Sequence, residues 1–123
     1  MSGMKRLSTS PTWKAAIELA DATGEACAVV RTGRREKELE RVLAQAIRVA
    51  SCVTLGLEAT GREEREELLS EGRQAAASLA AKVHVAVSHG SVSEDSGLAI
   101  RRKIRVLVDS IDLESYRLRR RAG

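Results

Sequence analysis

Lys82-Val83-His84-Val85-Ala86-Val87-Ser88 is the stretch on which the fold of this chain turns. Its β-branched valines, recurring strictly at every second position, suit a strand, and Ile104 to Val108 is similarly rich in strand formers. A hairpin would make the chain mixed. Each stretch, however, sits inside a longer pattern of period three to four, and an isolated pair of strands is marginal without a third. Helix is therefore the expectation for both, and with it an all-α chain.

Working outward, the helix that holds this stretch carries Leu68, Gly72, Ala76, Leu79, Val83 and Val87 on one stripe, with Ala75 and Ala80 widening it. Gly90 marks its end. Upstream, Thr60-Gly61-Arg62-Glu63 has the spacing of a capping box, and Glu63, Glu64, Glu66 and Glu67 suit the positive helix start. Downstream, Ser93-Glu94-Asp95 restarts the chain, and a fourth helix runs through Ile100, Ile104, Leu107 and Ile111.

Two more helices precede. Ser10-Pro11 is a helix start, followed by Trp13, Ile17, Ala20, Gly24, Cys27 and Val30 at helical spacing, with an end near Gly33. The second begins around Arg35, carries Leu39, Val42, Leu43, Ala46, Ile47, Ala50, Val53 and Leu57, and stops near Ala59. Four amphipathic helices on short turns predict an antiparallel up-down four-helix bundle over residues 10–116. A flexible tail over 1–9 and a basic tail over 117–123 flank it.

Composition agrees with that architecture. The chain has 123 residues, of which 43% are hydrophobic and only 2% aromatic, so Ala, Leu, Val and Ile must fill one modest core. Cys27 and Cys52 have no partner at metal or redox spacing and suit reduced thiols packed as small hydrophobes. No apolar run reaches membrane length and no secretory segment opens the chain, which points to the cytoplasm.

Catalytic groups are not evident. His84 and His89, five residues apart, fall on different helix faces, and no nucleophile and base or paired carboxylates stand at a usable spacing. The Ser-rich Gly90 to Gly97 segment lacks the lysine of a phosphate loop. The expectation is a protein that is not an enzyme and needs no cofactor or metal.

What stands out is sorted charge. The net charge is +4; acid dominates Glu58 to Glu71, and base dominates Arg31 to Arg48 and Arg101 to Arg121. Arg34, Arg35, Lys37, Arg41 and Arg48 belong to helix two; Arg101, Arg102 and Arg105 flank the apolar stripe of helix four, and Arg117, Arg119, Arg120 and Arg121 follow at its end. Several such cations together bind phosphate backbones by releasing counterions. A merely solvated basic face is the plainer alternative. The scarcity of aromatics speaks against base stacking, so binding should be backbone-directed and largely independent of sequence.

The chain also resembles the four-helix-bundle family encoded in intervening sequences of bacterial 23S ribosomal RNA, to which the accessory variability determinant of diversity-generating retroelements is more distantly related. Trp13-Lys14-Ala15-Ala16-Ile17-Glu18-Leu19-Ala20 is similar to the family's Trp-x-x-Ala-x-Glu-Leu-Ala. Ser51, Glu58, Gly61, Arg62 and Glu67-Leu68 resemble its Ser, Ala-Glu-Gly-x-Gly-Arg and Glu-Phe run. Ala75 and Ser78-Leu79 match its Ala-x-Gly-Ser-Leu, and Gly90 with Ser93-Glu94 its last turn. Val53, Leu55, Ala59 and Ala77 depart from the pattern, as a divergent member would. The resemblance, from Trp13 to Ile111, implies a ring-like homopentamer whose basic barrel binds nucleic acid and a reverse transcriptase. Val49, Leu55, Leu69, Val106 and Val108, which lie off the main stripes, are then candidates for the subunit interface. An oligomeric protein-interaction scaffold without nucleic-acid binding is the alternative function.

Overall fold

The computed structural model describes residues 7–28 and 34–122, with only the backbone at Arg34 and Ala122. Among the described residues a short helical turn at 7–9 is followed by four long helices: α1 (Pro11–Cys27), α2 (Arg34–Glu58), α3 (Arg62–Ser88) and α4 (Glu94–Ala122). No strand occurs among the described residues. The alternating Lys82–Ser88 stretch lies wholly within α3 and Ile104–Val108 within α4, because Val83 and Ala86 point inward at helical spacing rather than on alternate faces.

Each helix packs on two others: α2 on α1 and α3, and α4 on α1 and α3. Trp13 Nε1 donates to Thr54 Oγ1 at 3.2 Å and Thr12 Oγ1 lies 2.6 Å from Ser110 Oγ, tying the start of α1 to the later parts of α2 and α4. Between α2 and α3, Gln45 Nε2 donates to the Ala75 carbonyl at 2.9 Å. The core between the helices is built from Leu19, Val42, Val53, Leu79, Val83, Ile100, Leu107 and Ile111, all essentially inaccessible. Burying each such side chain contributes about 1.5–3 kcal/mol.

Local signals account for most boundaries. At α1 the Ser10 hydroxyl accepts from the Trp13 N–H at 3.2 Å, beside Pro11 in the first turn. After α3 the chain reverses at Gly90, whose φ of +76° is left-handed, and the Ser91 and Val92 N–H groups donate back to the Ala86 carbonyl. Ser93 Oγ then accepts from the Ser96 N–H at 3.1 Å to open α4.

Several expectations are corrected. The expected Thr60 capping box does not form: the residue preceding α3 is Gly61, without a side-chain cap, although Glu63 and Glu64 do occupy the first turn. Within α1 the buried residues are Thr12, Ala15, Ala16, Leu19 and Thr23, while Trp13, Ile17, Ala20, Gly24 and Cys27 are only half-buried. Val49 and Leu69, expected at a subunit interface, are fully inaccessible within the chain and belong to its core. Residues 7–9 are helical and Leu7 is buried, so the packed part of the chain starts before Ser10. The expected basic tail is a continuation of α4, with Leu118 packed against the core. Val30, the expected end near Gly33 and residues 1–6 lie outside the described residues. No described helix is long and apolar enough to cross a membrane.

Candidate nucleic-acid interface

Apart from Arg48, the basic residues singled out by the sequence whose side chains are described fall into two groups. The first gathers where the start of α2, the end of α3 and the start of α4 meet. Arg35, Lys37 and Arg41 line an open pocket there together with Glu38, His89 and Ser91. Arg101 lies against α3 in the same region, its guanidinium donating to His84 Nδ1 at 3.1 Å. Arg102 and Arg105 follow on α4, both exposed.

The second cluster, Arg117, Arg119, Arg120 and Arg121, occupies the last turns of α4, where cations also suit the negative helix end. From Arg101 to Arg119 the helix advances about 27 Å, so the two groups cannot contact one phosphate together. Arg121 faces the α2–α3 turn and shares a shallow pocket with Arg62 and Arg65. Arg48 stands alone on the outer side of α2. Of Arg34 only the backbone, at the first position of α2, is described.

Electrostatic partnering separates these residues from the rest. Arg62 pairs with Glu66 at 3.4 Å, Arg65 with Glu114 at 3.8 Å, and Arg73 with Asp112 at 2.7 Å, so three arginines of α3 are partnered. Lys103 reaches Glu18 at 3.9 Å. None of Arg35, Lys37, Arg41, Arg48, Arg101, Arg102, Arg105, Arg117, Arg119, Arg120 or Arg121 lies within ion-pair distance of a carboxylate among the described residues. All of these side chains are exposed. Exposed cations that no carboxylate neutralises keep their charge available to an external anion, even where, as at Arg101 and Arg120, a neutral side chain accepts one of their hydrogen bonds.

One carboxylate sits inside the first cluster and is held there. Glu38 accepts from the Ser91 hydroxyl through one oxygen and from His89 Nδ1, at 2.8 Å, through the other. The Ser91 hydrogen bond, with smaller help from His89 and Arg41, keeps the Glu38 carboxyl below its ordinary range against the opposing effect of burial. Glu38 therefore fastens α2 to the α3–α4 turn. Its proximity in space to His89 was invisible in the sequence, where the two are far apart. Lys82, exposed on α3, lines a groove with Arg41, Val42 and Val85 and was not anticipated either.

Among the described residues no group of three or more His, Cys, Asp or Glu side chains is placed to hold a metal ion. Cys27 is half-buried and its thiol is pushed up by burial; Cys52 is buried. Comparison of the chain with models of known protein families and with curated proteins finds no match.

Proposed function

We propose that this chain is a nonenzymatic nucleic-acid-binding accessory protein, holding RNA or DNA by its phosphate backbone and acting beside a reverse transcriptase. The observation that carries this is the division of labour among its arginines. Those of α3 are partnered by carboxylates, whereas those on α2 and α4 are exposed and unpaired among the described residues. Phosphates would take the place of the missing counterions.

In this proposal the helices form an antiparallel up-down bundle of the intervening-sequence family and assemble as a ring-like homopentamer. Exposed Leu55 on α2 and Val106 on α4, with fractional exposures of 56% and 60%, support a further burial surface. The same residues favour the second reading, a protein-interaction scaffold in which the arginines only keep the assembly soluble.

Titrating duplex and single-stranded RNA against the protein over rising salt tests the choice. Phosphate contacts predict affinity that falls steeply and linearly in log–log form from low to moderate salt. Absence of binding at low salt would leave the scaffold. Sedimentation velocity addresses the assembly, and a monomer at micromolar concentration would remove the pentamer.

A further inference from the structure

We infer that the far end of α4 is a site for unpaired nucleotides, with one base stacked on Tyr116 and the neighbouring phosphates on the arginines around it. It rests on the proposal that the cationic surfaces bind nucleic acid. It departs from the expectation that binding is blind to base stacking.

The chain has two aromatic residues, Trp13 and Tyr116. Trp13 is half-buried and its indole N–H is committed to Thr54. Tyr116 is 51% exposed and lies inside the second cationic cluster, one helical position before Arg117 and one turn before Arg119 and Arg120. The Arg120 guanidinium carbon stands 5.9 Å from the ring centroid, and Arg120 Nη1 donates to the Tyr116 hydroxyl at 3.5 Å. Leu113, one turn back, is also exposed and extends the apolar surface beside the ring.

A half-exposed ring beside a guanidinium is the pairing that single-strand binders use. Every base offers a π-face for stacking, and the arginine supplies both cation–π contact and charge for the adjoining phosphate. A paired base inside a duplex cannot reach such a ring. The cluster near Arg35 and Arg101 contains no Trp, Tyr or Phe, and its two imidazoles are engaged, His84 by Arg101 and His89 by Glu38, so the two ends of the molecule differ in kind: one suits any phosphate backbone, the other an unpaired strand.

Fluorescence anisotropy of a short labelled oligouridylate, a duplex of equal length and an abasic strand of the same backbone decides the matter, using the full chain, Tyr116→Ala and Tyr116→Phe. Tyr116→Ala should weaken oligouridylate binding roughly tenfold. Duplex and abasic binding should stay unchanged, and Tyr116→Phe should restore the single strand. Circular dichroism should show unaltered helix in both variants, since the ring is exposed. Equal oligouridylate affinity in Tyr116→Ala and the unaltered chain overturns the stacking site while leaving the phosphate contacts in place. Failure of the unaltered chain to bind duplex or single strand at low salt overturns both the site and the function on which it rests.

Discussion

Gly97, in the first turn of α4, lies so close beneath Val87 of α3 that a Cβ placed on it would come within 2.5 Å of Val87 Cγ2. Valine is stiff at its first side-chain torsion, so it cannot swing aside cheaply. Gly97→Ala should lower stability by about 1–3 kcal/mol through overpacking, despite the better helix propensity of alanine. Thermal melts followed at the helix band would measure it. A variant as stable as the unaltered chain would mean the two helices are not held this closely.

Glu38 ties acid sensitivity to the α3–α4 turn. Because the Ser91 hydrogen bond lowers its carboxyl value in the folded chain, Glu38 stabilises the fold in full above the ordinary unfolded value of about 4.3. That contribution is lost as the pH falls through the lower folded value. Ser91→Ala should therefore cost about 1 kcal/mol at neutral pH. The difference from the unaltered chain should shrink on acidification towards pH 3, as read from melts across that range.

Val49 and Leu55, both valued from sequence as interface candidates, should part company. Val49 is inaccessible within the chain, and Val49→Ala should destabilise by roughly 1–2 kcal/mol with no change in assembly. Leu55→Glu together with Val106→Glu should leave the melting transition nearly unaltered and reduce the sedimenting mass. A mass that does not change would exclude both positions, on the separate helices α2 and α4, from any subunit contact.

The sequence made four helices and their inward residues on α4 easy to read, since Ile100, Ile104, Leu107 and Ile111 are large, apolar and regularly spaced, and all are buried. On α1 the same logic rotated the stripe. Thr12 and Thr23 count as polar by hydropathy, yet both are buried because their hydroxyls find partners: Thr23 donates to the Leu19 carbonyl at 2.8 Å, and Thr12 meets Ser110. In an alanine-rich interior, small size outranks apolarity at the closest approaches, and Trp13 and Ile17 are displaced to the margins. The cationic residues were legible as residues but not as places. The packing of α2, α3 and α4 separates the basic residues at the starts of α2 and α4 from those at the end of α4, and for Arg65 and Arg73 it is contacts distant in sequence, with Glu114 and Asp112, that reveal an existing partner.

Charge reversal should expose that division. Arg101→Glu, Arg102→Glu and Arg105→Glu combined should abolish duplex binding while leaving helicity unchanged. Arg35, Lys37 and Arg41 changed together should weaken binding, each lost phosphate contact flattening the salt slope by about 0.9 for a duplex. The partnered Arg62, changed alone to Glu, should alter affinity little. Retained affinity after the α4 replacements would locate the contacts elsewhere.

Because α4 continues unbroken to Ala122, the arginines beyond Leu118 have a fixed angular phase relative to the bundle. One alanine inserted between Leu118 and Arg119 would keep the net charge and the seating of Leu118, yet swing Arg119, Arg120 and Arg121 around the axis by about 100°. The orientation of this helix end, as distinct from its charge, becomes something that can be dialled one residue at a time.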